Sequence, residues 1–429
     1  MNLGKVTVIT ATYNSCELLE RTIKSLIDQS YKDIEYIVVD GGSDDGSLEL
    51  LQRYESHIDV LVSEPDNGIA DAWNKGLSLA SGRVVALLNA GDIYSKDFIA
   101  KSVRSIGCDE LAITYGNCYF VSNGIVKSCK EGVVNDEKNL YKGVGFVHTT
   151  CVATKSVYEK VGVFDLGINI ALDTDFILRA LCYGVPLKSS EAKVYMELGG
   201  VSDTHAKDAY FEYLTALIKY GYISRKKAKQ LRAVYYMYSP FRNFFKSDFF
   251  RSFLRKIKHL SIFLLNVVYQ LVPSFWAKNR FLSLLGFKIG ARSYILKGGV
   301  FYRNSNLCVG KNSIVNRECT LDNRGAINIG NNVSVSHGVK IYTAGHEINS
   351  PYNEIKTRDV VLCDYVQVFS NAIICPGVVV GEGAVILPGS VVIKDVAPYS
   401  VVGGNPAKEV MKREEGLLYK IDYPYWHSL

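Results

Sequence analysis

No two of the ten cysteines form a CxxC pair, and their scatter builds no even framework. That excludes a disulfide scaffold and a cysteine-zinc site, and points to reduced thiols in a cytosol. No basic-then-apolar leader opens the chain, which runs straight into a strand, so no export signal is expected. The apolar run at 260–272 is interrupted by Asn266 and Gln270 and is too short to span a bilayer. Acids are scarce where bases are dense. Between Lys219 and Lys258 stand twelve lysines or arginines and one acid, Asp248. Aromatics are interleaved there, among them Tyr235, Tyr236, Tyr238, Phe241, Phe244, Phe245, Phe249, Phe250 and Phe253. Such a segment fits helices lying on an anionic membrane surface, or a linker packed on its neighbours. No nucleic-acid reader motif accompanies it, so no nucleic acid partner is expected.

What is present falls into two halves, as the length of 429 residues allows. The last third counts in sixes: Val309, Val315, Leu321 and Ile327, then, after a two-residue slip, Ile329, Val335 and Ile341. The count resumes at Leu362, Val368, Ile374, Val380, Ile386 and Val392. One inward aliphatic every six residues suits a parallel β-helix with three short strands per coil. Coils of this kind expose backbone at their ends, so caps and oligomerisation are expected. Residues 342–361 break the count and should bulge out as a loop. That loop holds His346, a side chain suited to general-base work.

The ordered series of residues 341–346, Asn371, Pro376-Gly377, 388–392, 394–396, 398–402 and 404–408 closely resembles the hexapeptide-repeat acetyltransferases over about 272–412. The resemblance implies a left-handed β-helix, with His346 deprotonating a sugar hydroxyl that attacks acetyl-CoA. It implies a homotrimer with CoA lying between neighbouring subunits. Ser370, Ser390, Lys394 and Lys408 would line the CoA track, and Asn316 and Asp322 would sit on the acceptor side.

The first two hundred residues alternate strands and helices, so a parallel sheet covered on both faces is expected. Ligands of such sheets bind beyond the carboxyl ends of the strands. Polar clusters stand there in series: Tyr13-Asn14, Asp40, 64–68 and 89–92. Their order, with Asp71-Ala-Trp-Asn-Lys-Gly76, resembles glycosyltransferase family 2 over about 4–205. The resemblance implies the GT-A fold and a nucleotide-sugar donor held by Thr12, Tyr13, Asn14, Asp40, Asp66, Asp71, Lys75 and Asn89. It also implies Mg²⁺ or Mn²⁺ at Asp92, the one acid left in a slot that is usually Asp-x-Asp. Asp173 would be the base of an inverting transfer, and His148 would touch acceptor, diphosphate or metal.

The expected division is an α/β GT-A domain over 1–208, a helical linker over 209–275, a left-handed parallel β-helix over 276–415 and a tail over 416–429. The expected activity is sugar transfer to a lipid-linked glycan and acetylation of a sugar hydroxyl, at the cytoplasmic face of the membrane. Two alternatives stay open: N-acetylation of an aminosugar nucleotide, or one domain acting only as a binding or trimerising module.

Overall fold

The computed structural model describes residues 4–199, 204–246 and 248–422. The side chains of 240–249 and 251 lie outside that description, and with them Phe241, Phe244, Phe245, Asp248 and Phe249 of the basic aromatic segment. The chain forms two compact units, Met1–Pro240 and Phe241–Leu429, so the segment read as one linker falls in both.

The first unit opens with β1 (Val6–Thr12), α1 (Cys16–Ile27), β2 (Ile34–Asp40), α2 (Ser47–Arg53), β3 (Val60–Ser63), α3 (Ile69–Leu79) and β4 (Val84–Leu87). It continues with β5 (Asp92–Tyr94), α4 (Phe98–Ile106), β6 (Ile113–Ser122), β7 (Ile125–Lys130), β8 (Val152–Thr154), α5 (Lys155–Val161), α6 (Leu172–Cys182), β9 (Leu187–Glu197) and α7 (Ala206–Lys219). The strand order is β3-β2-β1-β4-β8-β6-β9-β5, with β7 paired on β6. Strands β1 to β4 are parallel, but β8 pairs antiparallel with both β4 and β6, so the sheet is mixed.

Residue alternation sorts β1, β2 and β4 onto two cores. Val6, Val8, Tyr36, Val38, Val84 and Ala86 pack with Leu19, Ile23 and Phe98 on one face. Ile9, Ala11, Ile37, Val39, Val85 and Leu87 pack with Trp73, Leu77 and Phe176 on the other. Period-2 alternation of apolar side chains to both faces of buried strands is what a two-faced buried sheet requires. The result is an α/β/α sandwich.

The second unit begins within α8 (Arg225–Lys246) and continues through α9 (Asp248–Leu271) and α10 (Phe275–Leu284). A triangular parallel β-helix follows. Its three faces are sheets of short parallel strands. One runs through Leu307–Val309, Ile327–Ile329 and Val360–Leu362, the next through Ile314–Val315, Ser334–Val335 and Gln367–Val368, and the third through Thr320–Asp322, Lys340–Tyr342 and Ile373–Ile374. Every aliphatic in the count of sixes is buried, from Val309 at 3% exposure to Val392 at 2%.

Pairing explains the slip in the count. Early coils advance by twenty residues, as in Lys288↔Cys308 and Cys308↔Asn328. Later coils advance by eighteen, as in Val361↔Val379 and Gln367↔Val385. The two extra residues sit at the corner between third and first faces. There the amide of the fully buried Asn323 donates to Arg303 O (2.7 Å) and Ser305 O (2.6 Å) and accepts from the N–H groups of Tyr302 and Arg303. In the third coil this same corner expands into the loop that carries His346.

The open end of the β-helix is capped by α9. Asn266 pairs with both backbone groups of Phe301, at 2.8 and 2.9 Å, and Gln270 with Gly298 N and Gly299 O, at 2.8 and 3.0 Å. The two polar residues that interrupt the apolar run thus satisfy an exposed sheet edge.

Candidate active sites

The first site assembles at the carboxyl ends of β1, β2 and β4. Thr12 ends β1 buried, and its hydroxyl has no hydrogen-bond partner. Tyr13 follows it, 63% exposed. Asn14 adopts φ +46° and stitches two loops, donating its N–H to Ser43 Oγ (2.8 Å) and accepting from Asp44 N (3.0 Å). Asp40 is fully enclosed; Ser43 N and Ser63 Oγ donate to its Oδ2 at 3.1 and 2.7 Å. Ser43 Oγ also donates to its Oδ1, so Asp40 anchors the loop. Gly41 lies beside Tyr13 and Asp66, and a Cβ there would come within 2.8 Å of Asp66 Oδ2. A bare backbone at 41 thus keeps these two side chains side by side. Lys75 bridges Glu64 (2.8 Å) and Asp71 (3.7 Å). The hydrogen bond to Glu64 holds its pKa up, and a backbone N–H from Asn67 holds that of Asp71 down.

Deeper, four groups expected in separate roles meet. His148 Nδ1 lies 2.9 Å from Asp173 Oδ2, and His148 Nε2 lies 3.5 Å from Asn89 Nδ2. Burial works against the imidazolium, yet the charge and hydrogen bond of Asp173 outweigh it and raise the His148 pKa. Burial would also raise Asp173, but His148 holds it below the usual carboxylate range. Each partner thus favours the charged form of the other. Asp92 is 5% exposed, and burial pushes its pKa up to about 7, opposed only weakly by His148.

Two participants escaped sequence reasoning. Trp73 is buried, donates its indole N–H to Asn89 Oδ1 at 3.1 Å, and packs its ring 5.4 Å from that of His148. Glu212, on α7, accepts the backbone N–H groups of Ile170 and Ala171 on one oxygen, at 2.8 and 2.9 Å. It thereby caps the start of α6, the turn that carries Asp173, which has no side-chain cap of its own. Sixteen residues separate Trp73 from Asn89 and forty-two separate Glu212 from Ile170, so no local spacing signals either contact, although Trp73 stands within the motif of residues 71–76. Asp175, on the same helix, is structural: it accepts from Tyr220 Oη (2.9 Å) and faces Arg179 and Lys219.

Among the described residues no three His, Cys, Asp or Glu side chains are grouped to hold a metal. A buried carboxylate with an imidazole nearby still fits a hard divalent ion that takes its remaining ligands from substrate phosphates.

The second site stands on the enlarged corner of the β-helix. Ala344–His346 and Ile355–Thr357 form an antiparallel hairpin. His346 is exposed, and its Nδ1 lies 2.7 Å from the Asn353 carbonyl. A carbonyl only accepts, so Nδ1 donates to it, and in the neutral ring Nε2 is the nitrogen with the free lone pair. The root of the loop is fixed by Thr343 Oγ, which donates to Asp322 O and accepts from Gly325 N at 2.8 Å. The Asp322 carboxylate is buried and held bidentate by Arg324, at 2.8 and 2.7 Å.

The remaining expected residues divide between corners. Asp322 ends a strand of the third face and His346 and Lys394 follow strands of that face, whereas Asn316, Ser370 and Ser390 follow strands of the second. Ser390 is fully buried, donating to Leu387 O (2.7 Å) and accepting from Gly404 N (3.3 Å). Lys394 is exposed, as is Lys408 in the terminal hairpin Ser400–Gly404/Ala407–Lys412.

The first unit is thus an α/β/α sandwich that gathers polar side chains at its strand ends, with a buried aspartate near a histidine. The model of glycosyl transferase family 2 matches residues 7–153. An uncharacterized glycosyltransferase of Mycobacterium tuberculosis is 31% identical over 212 residues, 48% of this chain and 80% of the relative. The chain belongs to glycosyltransferase family 2. Among solved structures, Staphylococcus aureus TarS 1–349 in complex with UDP is similar over 63% of this chain and 81% of its own, at 18% identity and TM-score 0.41. A maltose O-acetyltransferase of Clostridium difficile is similar over 38% of this chain and 89% of its own, at 28% identity and TM-score 0.36.

Proposed function

We propose that the chain is a bifunctional enzyme of surface-polysaccharide assembly. The first unit moves a sugar from a nucleotide donor to a glycan carried on a lipid at the cytoplasmic membrane face. The second moves an acetyl group from acetyl-CoA to a sugar hydroxyl of that glycan. The observation that carries the first half is the Asp173–His148 hydrogen bond at the site that also holds Asn89 and Asp92. With Oδ2 engaged by His148, Asp173 takes the acceptor hydroxyl's proton on Oδ1, which also accepts from the Thr174 hydroxyl at 3.3 Å. The acceptor oxygen bonds to the anomeric carbon as the bond from that carbon to the diphosphate breaks. Mg²⁺ or Mn²⁺ at Asp92 would neutralise the departing diphosphate.

In the second half, His346 Nε2 takes the proton of the sugar hydroxyl, which attacks the thioester carbonyl and releases CoA thiol. The motif series around His346 and its fixed tautomer support this reading. The division of Asn316, Ser370 and Ser390 from His346 by corner favours a homotrimer, in which a neighbouring copy supplies the second wall of the site. A basic, aromatic helical region supports residence on anionic lipid, and among the described residues no helix is long and apolar enough to cross a membrane.

The test is a screen of nucleotide sugars for donor hydrolysis with Mg²⁺ or Mn²⁺, alongside acetyl-CoA turnover with hydroxyl and amine sugars. Donor hydrolysis by wild type and not by Asp173→Asn is the expected result. No hydrolysis of any donor would overturn the first half, and turnover only with amine sugars would overturn O-acetylation.

A further inference from the structure

The cap of the β-helix has a second face. While Leu265, Asn266, Tyr269 and Gln270 pack or bond onto the first coil, Phe253, Ile257, Leu260, Leu264, Val267 and Leu271 stay exposed, between 38% and 74%. Their spacing of four, three, four, three and four residues draws one straight apolar stripe along α9. At 1.5 Å per residue the stripe is about 27 Å long. Phe263 and Val268 widen it, and α10 adds Trp276 at 77% and Leu284 at 75% exposure.

Spacing of this kind also suits a helical partner, so charge has to decide. From residue 249 to residue 317 the sequence contains no acid and twelve lysines or arginines. Arg255, Lys256 and Lys258 are all exposed on α9. A seam between two copies would bring like charges together, where helical seams ordinarily flank themselves with opposite ones. α8 carries five lysines or arginines in its first eight residues and no acid, so it offers no countercharge either. An anionic lipid surface supplies both what the stripe and what the bases require: acyl chains for the apolar side chains and phosphates for the cations.

We propose that α9, with α10, is an interfacial helix pair that seats the β-helix on anionic membrane. This rests on the membrane residence proposed above and assigns it to one surface. The bilayer then meets the β-helix at its capped end.

The experiment uses the full chain and flotation with vesicles of phosphatidylcholine, with and without about 30% phosphatidylglycerol, at about 0.1 M and 0.5 M salt. Wild type should float with the anionic vesicles, less at high salt, and hardly with the neutral ones. Leu260→Glu/Leu264→Glu should weaken flotation about tenfold or more, with acetyl transfer and melting temperature unchanged. Lys256→Glu, wholly on the surface, should weaken it about threefold. If wild type floats and both variants float equally well, α9 is not the docking surface, although membrane residence through other bases survives. If wild type floats with neither vesicle, both readings fall. If the double variant instead lowers the molar mass in light scattering while flotation is unchanged, the stripe is a seam between copies and the proposal is overturned.

Discussion

The two candidate sites differ in how their reactive groups are held. In the first unit the pair Asp173–His148 is half-enclosed, wedged against Trp73, and each partner shifts the other's proton affinity. In the second, His346 stands on an exposed hairpin and owes its tautomer to one backbone carbonyl. The first site depends on long-range packing of strands and helices. The second depends on one enlarged corner of a repeating fold. A site of the first kind should be sensitive to distant packing changes, and a site of the second kind to little beyond its own loop.

The strongest way to break that contrast is Asp173→Asn. The amide keeps the shape but cannot take the acceptor's proton, so sugar transfer should fall about 10³–10⁴-fold. Nucleotide affinity by calorimetry and acetyl transfer should both stay near wild type. A parallel fall in acetyl transfer would mean that the two sites are coupled. His346→Ala is the reciprocal experiment. Acetyl transfer should fall about 10²–10³-fold while sugar transfer is untouched. Retention of acetylation within a few-fold would remove His346 as the base.

How far each site could be read in the sequence follows the same division. A count of sixes is local, so the β-helix, its interruption and His346 stand in plain view. The two-residue slip is local too, although only pairing shows that it marks the corner held by Asn323. β1, α3 and β4 are equally legible, because wholly apolar strands alternate with an amphipathic helix. The antiparallel entry of β8 between β4 and β6 is not, since three residues carry no pairing direction of their own. Nor does sequence order disclose that Asp40 is closed in by Ser43 and Ser63, or that Asp322 is claimed by Arg324. Those facts belong to side chains meeting in space.

Glu212 sharpens the contrast at a smaller scale. It touches no reacting atom. It holds the backbone N–H groups of Ile170 and Ala171 at the start of α6, two and three residues ahead of Asp173. Glu212→Ala should cost about 1–2 kcal/mol of local order, the scale of a lost helix cap. Sugar transfer should then lose about tenfold in kcat with the donor KM little changed. Glu212→Gln, whose amide oxygen still accepts, should recover most of the loss. Equal damage by both variants would point to the charge rather than the cap.

The smallest effect separates the units by pH. Lys278, on α10, is 1% exposed, with its ammonium 4.7 Å from the ring of Tyr269. Burial, helped by the charge of Lys297, lowers its pKa to about 8. An unfolded lysine titrates near 10.4, so between these values the folded chain binds fewer protons than the unfolded one. Stability of the second unit should therefore rise as pH goes from about 8 toward 10, and be flat on this account below 8. Lys278→Met keeps the volume and removes the charge. It should raise the melting transition of the β-helix by roughly 2–4 °C at pH 7, the shift expected for about 1 kcal/mol in a unit of this size. The gain should shrink by pH 9.5, and the unit containing Asp173 should melt as before. A variant that melts lower at every pH would mean that the cation–ring contact outweighs the cost of burying the charge.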